Sequence, residues 1–354
     1  MKKRILAVLI ATALAVSVTG CAGNATSSSD STSASSVAES SDTSTQTSSD
    51  ASSEDESKNE SSQEESKDLE ANYTKYTLDG DLTQHMIDMS RLNEGNKVRL
   101  ANVIKKLKNG EEVTVGFIGG SITQGTSAGN DLCYAKLTAD WLQKTYSNAK
   151  INYVNAGIGA TGSYIGVHRV ANDLLSKNPD LVFVEFSVND TTENTERNKK
   201  SYDGLLRTIW KSSTNPAIIT IATTQEDGTS FQDQHAEIVK HYDLPMISYR
   251  NTILDTIKHG DIVWKDISDD NIHPNVPGHK IVSQLLQAYI SDVDKDVDNI
   301  SGSESDFTTP ATDAPIENGS LIQPSSATDV TATGAFGNYE QQFGGFDGFW
   351  LFKG

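Results

Sequence analysis

The feature that most restricts this chain is an alternation. Between about residues 97 and 292, short β-branched apolar runs are separated by stretches of helical spacing. Residues 98–108 place Leu100, Val103, Ile104 and Leu107 at helical intervals, and Gly110 suits the end of that helix. Further helices are expected at 134–146, 163–176, 202–211, 231–241 and 277–290. Strands are expected at 113–118, 151–155, 181–186, 217–222 and 246–248. The run 181–186 is nearly continuous in apolar residues, as a strand buried on both faces must be. Pro179 stops the helix before it, and Pro277 fits the first turn of the last helix. Strands spaced by helices predict an α/β fold whose central parallel sheet is covered on both faces. Reactive groups in such sheets gather at the carboxyl ends of the strands, here in the loops after 118, 155 and 186.

The ends of the chain read differently. Residues 1–4 are basic, 5–18 are apolar, and Val18-Thr19-Gly20-Cys21 follows. This is a signal-peptide layout, and its end resembles a bacterial lipobox, which would make Cys21 a lipidated N-terminus. A secretory signal that merely contains a cysteine is the alternative. The apolar run falls short of the ~20 residues of a spanning helix. From 24 to 72 the chain carries 12 Asp or Glu against 2 Lys and shows no apolar period. Such a segment cannot bury enough surface to offset its ordering entropy. Residues 22–72 are therefore expected to be a tether, with a mean reach of roughly 35–42 Å. The folded core would span 73–300. Residues 301–330, rich in Ser, Thr, Pro and Asp, read as a linker. The tail 331–354 crowds Phe336, Tyr339, Phe343, Phe346, Phe349, Trp350 and Phe352 among glycines. It suits either a strand pair docked on the core or the start of a β-sandwich.

The formal net charge is -19 over 354 residues, which argues against nucleic acid and against attraction to an anionic membrane surface. Cys21 belongs to the processing signal, so Cys133 is left as a lone thiol. No disulfide framework and no cysteine-based zinc site is available.

Four segments carry chemistry. The first strand runs into Gly119-Gly120-Ser121-Ile122-Thr123. A serine there can be held in a tight turn with its hydroxyl exposed, and a following helix would add N–H groups near it. The bland reading is a turn that only connects strand to helix. The G-x-S-x-G elbow is absent because Thr123 holds its last position, and no lysine completes a P-loop. Next, Asp270-Asn271-Ile272-His273-Pro274 places a carboxylate three residues before a histidine, within reach of Nδ1. Asp270 could instead serve only the turn. His168, His235 and His279 show no comparable partner and are expected at the surface. Third, Asn189 follows the most apolar strand and could donate to an oxyanion or cap a helix. Finally, residues 157–162 match G-x-G-x-x-G, so a dinucleotide site is the formal competitor. Asp180 lies before the next strand rather than at its end, which weakens that reading. The loop's other use is backbone N–H donation to an oxyanion.

These four segments, in this order, resemble the SGNH (GDSL-like) hydrolases over roughly residues 97–292. The resemblance implies a flavodoxin-like three-layer α/β/α sandwich and ester hydrolysis with no metal or cofactor. It implies Ser121 as nucleophile, His273 as general base and then acid, and Asp270 as its orienting partner. The oxyanion hole would be the Ser121 N–H, a backbone N–H of Gly159 or Ala160, and the Asn189 amide. Two departures stand out. Gly120 replaces the family's Asp, so a different hydrogen-bonded surrounding is expected rather than loss of activity. Ala160 aligns with the family's oxyanion glycine, and it keeps its donor in place if φ is negative. The opening G-G-S-I-T with N-A-G-I-G is similar to that of carbohydrate esterases. The expected protein is a monomeric, lipid-anchored extracytoplasmic deacetylase of polysaccharide. A non-catalytic binding lipoprotein and a lipase or lysophospholipase are the rivals.

Overall fold

The computed structural model describes residues 73–192, 194–317 and 319, with the backbone of 336–339 and 349–352. The signal peptide, lipobox and tether expected over 1–72 lie outside the described residues.

Six strands form the central sheet: β1 (Arg91–Asn93), β2 (Glu112–Gly119), β3 (Lys150–Gly157), β4 (Leu181–Glu185), β5 (Ala217–Ala222) and β6 (Met246–Ser248). Their order is β1-β6-β5-β4-β2-β3. Strands β2 to β6 are parallel, as the alternation requires, while β1 pairs antiparallel with β6 at one edge. The helices are α1 (Gln84–Ser90), α2 (Val98–Lys108), α3 (Ser121–Gln124), α4 (Tyr134–Thr145), α5 (Ser163–Asp173), α6 (Thr195–Trp210), α7 (Gln232–His241), α8 (Tyr249–Lys258), α9 (Trp264–Ile267) and α10 (Val276–Lys295).

The period of two along each strand builds the three layers. Val115, Phe117, Leu181, Phe183, Ile219 and Ile221 share one core with α2, α4, α8 and α10. Val182, Val184, Ile218 and Ala222 share the other with α5, α6 and α7. Each such side chain contributes about 1.5–3 kcal/mol by leaving water. That explains why β4, buried on both faces, carries no polar residue before Glu185.

Strand β2 is flanked by β3 on one side and β4 on the other. The β2–β3 crossover uses α4 on the first face, and the β3–β4 crossover uses α5 on the second. The loops therefore part above the carboxyl end of β2, at the topological switch point where ligands bind in such sheets. Arg169 of α5 closes the floor of this crevice and is 1% exposed. Its guanidinium donates to the carbonyls of Gly119 (2.9 Å) and Ala156 (2.5 Å), and Asp173 balances its charge at 3.1 Å. The Gly119 carbonyl also accepts the Ile158 N–H at 3.1 Å, so the guanidinium reinforces the strand ends where the crevice opens.

The structure departs from the expected elements in places. Helix α6 begins at Thr195 rather than 202, because the Asn194 side chain caps it by accepting the Arg197 N–H. Helix α8 follows β6 with no intervening loop, since Ser248 both ends the strand and caps the helix. The linker expectation does not hold for residues 301–317. Phe307 is 6% exposed and stacks on Tyr242 (3.9 Å) and Trp210 (4.5 Å). The Asp203 carboxylate accepts from the Thr312 backbone and hydroxyl. One aromatic anchor and a few polar bonds hold a segment whose composition reads as linker. In the tail, β7 (Phe336–Tyr339) pairs antiparallel with β8 (Phe349–Phe352).

Candidate active site

The site begins where β2 ends. The chain turns through Gly119 and Gly120 into α3, a single helical turn opened by Ser121 and closed by Gly125 at φ 102°. Gly120 has φ -87°, which any residue adopts. The glycine is needed for space instead: the volume of a Cβ there is already filled by the Asn189 amide. The residue that departs from the family opening thus makes room for the neighbouring motif. Ser121, in the first turn of α3, has no intrahelical acceptor for its N–H.

His273 comes from the loop between α9 and α10. Ser268 organises that loop, its hydroxyl lying 2.9 Å from the Asp270 carbonyl and 2.6 Å from the His273 carbonyl. The Trp264 indole N–H also donates to the Asp270 carbonyl, at 2.6 Å. Asp270 Oδ1 accepts the backbone N–H groups of Ile272 and His273, both at 2.7 Å. Its Oδ2 lies 2.8 Å from His273 Nδ1, and His273 Nε2 lies 2.9 Å from Ser121 Oγ. Burial raises the Asp270 pKa, but hydrogen bonds from His273 and Ile272 outweigh it and bring it down to about 2. An ionised Asp270 accepts from Nδ1–H, which leaves Nε2 to accept the serine proton. The His273 side chain is 21% exposed, so the pair is reachable from solvent.

The structure also brings Asn189, Gly159 and Ala160 to this crevice, with different roles. Asn189 opens a short 3-10 turn after β4. The Gly159 N–H donates to Gln124 Oε1 at 2.9 Å, so the backbone group expected at Gly159 is already engaged. Ala160 has φ 58°, the left-handed region, rather than the negative φ expected from an alanine donor. Holding an alanine there costs on the order of 1–3 kcal/mol. Ala160 and Asn189 line a cleft of about 290 Å³ together with Tyr164, Arg197 and Asn198.

Asp190 was not among the expected site residues, yet it ties the two loops together. It is 1% exposed, and its Oδ1 accepts the Ser163 N–H at 2.8 Å. Its Oδ2 lies 2.9 Å from His235 Nε2, and its carbonyl accepts from the Asn198 amide. The Asp190 carboxyl group therefore already occupies the N-terminus of α5. That is the place a pyrophosphate would need, so the G-x-G-x-x-G reading fails on occupancy. Only the position of Asp190 beside Asn189 could have signalled it.

Two of the three histidines expected at the surface are buried. His235 is 0% exposed and stacks on Tyr202 at 3.6 Å, and its hydrogen-bond partner Asp190 lies 45 residues away in sequence. His279 is also 0% exposed; burial lowers its pKa to about 4. Its neutral ring accepts the Tyr134 N–H at 3.1 Å. His168 is half-buried, with Nδ1 2.6 Å from the Tyr164 carbonyl. Beneath the site lies Glu185, fully buried, with Oε1 accepting from Thr223 (2.7 Å) and Ser187 (3.3 Å). Burial raises its pKa to about 7.

The profile of the GDSL-like Lipase/Acylhydrolase family matches residues 117–281. No curated protein sequence matches the chain. Among solved structures, a two-domain esterase active on acetylated mannans is 36% identical, with a TM-score of 0.68. The match covers 72% of this chain and 68% of that one. The same type of esterase co-crystallised with mannopentaose is 35% identical, with a TM-score of 0.66 over 72% of this chain and 67% of that one. With this likeness in sequence and fold, the chain belongs to the GDSL-like lipase/acylhydrolase family and is an SGNH-type serine ester hydrolase.

Proposed function

We propose that this protein removes acetyl groups from a polysaccharide outside the cell, through an acyl-Ser121 intermediate. The reading is carried by one observation: Ser121 Oγ lies 2.9 Å from His273 Nε2, whose Nδ1 lies 2.8 Å from Asp270. His273 takes the serine proton as Oγ bonds the acyl carbon. The proton then passes to the departing sugar oxygen as the ester bond breaks. Water, deprotonated by the same imidazole, cleaves the acyl-enzyme and returns the serine. Asp270 keeps the ring in the productive tautomer and stabilises the imidazolium. The developing oxyanion would be met by the Ser121 N–H and the Asn189 amide.

The substrate class rests on likeness to esterases active on acetylated mannans. The cleft beside Asn189 supports it, because Tyr164 and Arg197 line it with polar groups that suit a sugar. A lipase reading finds no broad apolar surface among the described residues. Among the described residues the exposed large hydrophobics are Leu132, Val263 and Val276. Cys21 and the acidic tract 22–72 would anchor the enzyme and let it search a surrounding polymer layer.

The test is acetate release from O-acetylated mannan, xylan and pectin, by the protein and by Ser121→Ala. Release from at least one polymer, lost in the variant, is expected. Failure on every polymer with full activity on an aryl acetate would reject the carbohydrate assignment. Covalent capture of Ser121 by a fluorophosphonate separates an esterase from a binding lipoprotein.

A further inference from the structure

A second cluster of reactive side chains lies away from the crevice. His85 of α1, Asp255 of α8 and His259 at the end of α8 gather their ligating atoms within 4.8 Å of one another. His85 Nε2 lies 2.6 Å from Asp255 Oδ2, and His259 Nδ1 lies 3.2 Å from the same oxygen. Helix α8 runs back from the carboxyl end of β6, so Asp255 sits roughly 10 Å of helix away from the level of the catalytic loops. The three side chains are 4%, 12% and 17% exposed.

Chemistry and spacing narrow what such a cluster holds. Asp255 and His259 are four residues apart, so a helix presents both on one face. Two imidazoles and one carboxylate suit zinc-class ions, whereas calcium and magnesium favour oxygen donors alone. A tetrahedral ion with bonds of about 2.0–2.1 Å needs ligand atoms roughly 3.3 Å apart. The 3.2 Å pair is already there, the 2.6 Å pair must open by well under an ångström, and the two imidazoles, within 4.8 Å of each other, must close to about 3.3 Å. His259 Nδ1 also lies 2.9 Å from the Asp255 carbonyl. Binding would exchange that bond for the metal, or turn the ring to offer Nε2.

Tyr73 roofs the cluster. Its ring stacks on His259 at 4.1 Å and meets His85 edge-on at 5.4 Å. It directly follows the acidic tract expected to be the tether, and three residues later the Tyr76 N–H donates to Asp261. The geometry points to a zinc-class site at His85, Asp255 and His259, with a water as fourth ligand, that fastens the start of the core beneath Tyr73. It takes no part in ester hydrolysis, and it does not depend on the substrate proposed above.

The experiment uses the tag-free full chain, stripped with chelator and dialysed against ZnCl2 or CoCl2. About one equivalent of zinc per chain is expected, as is a cobalt adduct with the visible bands of four-coordinate Co2+. His85→Gln and His259→Gln should each weaken zinc binding about tenfold or more, with aryl acetate turnover unchanged. His259 is the more exposed of the two, so its variant guards against loss of fold, checked by circular dichroism. No zinc uptake, or uptake in both folded variants equal to that of the parent, would overturn the site and leave a hydrogen-bonded His–Asp–His cluster.

Discussion

His273 Nε2 and Ser121 Oγ, 152 residues apart in the chain, lie at a hydrogen-bonding distance of 2.9 Å. Ser121 is held by the glycine turn after β2, and His273 by a loop that Ser268 and Trp264 brace through its carbonyls. Neither segment touches the other in sequence, so removal of either side chain probes the same contact.

His273→Ala should lower kcat for an aryl acetate by about 10³-fold or more, with little change in thermal midpoint. Asp270→Asn should lower kcat by on the order of 10³–10⁴-fold, because an amide no longer enforces the tautomer. Steady-state kinetics decides this; a loss under tenfold in either variant removes that residue from proton transfer.

Asn189→Ala should cost roughly 10²–10³ in kcat if its amide stabilises the oxyanion. Gly120→Ala gives a finer test. Its new methyl occupies the space of the Asn189 amide without demanding an unusual φ. A kcat loss that approaches the Asn189→Ala value, and that is absent when Gly120→Ala is added to Asn189→Ala, is the expected pattern.

Glu185 and Asp270 set opposite limbs of stability against pH. Burial raises the folded pKa of Glu185 to about 7, above the ordinary carboxylate value. Its contribution is therefore complete below about pH 4.5 and is lost as pH rises through about 7. Asp270, lowered to about 2 in the fold, contributes above its unfolded value and loses that contribution as pH falls toward 2. Glu185→Gln mimics the protonated acid. It should raise stability at pH 8 relative to the parent by on the order of 1–3 kcal/mol, and leave pH 4 unchanged. Denaturant melts at both pH values measure this, and a variant less stable than the parent at pH 8 contradicts it.

Arg169→Leu should destabilise by roughly 2–5 kcal/mol, since it removes two buried charge-assisted hydrogen bonds, to the Gly119 and Ala156 carbonyls. Those carbonyls end β2 and β3 on either side of the crevice. Activity should therefore fall with stability; an unchanged thermal midpoint would show that solvent replaces the guanidinium.

Much of this molecule was legible in the chain itself. The strand β5 and the helix α2 match their expected bounds, because apolar period and breakers are local properties. The segments around Ser121, Asn189 and His273 were visible for the same reason: each is a short motif at a strand end or loop. The edge strand β1 was not visible, since three residues carry no period and their pairing with β6 is a long-range fact. The segment 301–317 was misread because composition does not register a single anchor such as Phe307.

Sequence alone thus determined the layers, the order of the motifs and the residue types able to move a proton. Tertiary structure decided which groups meet. It buried His235 on Asp190, engaged the Gly159 N–H with Gln124, put Ala160 at positive φ, and filled the space over Gly120 with Asn189. The physical reason is that period and propensity act over a few residues, whereas hydrogen-bond partners and free volume are set where distant loops converge.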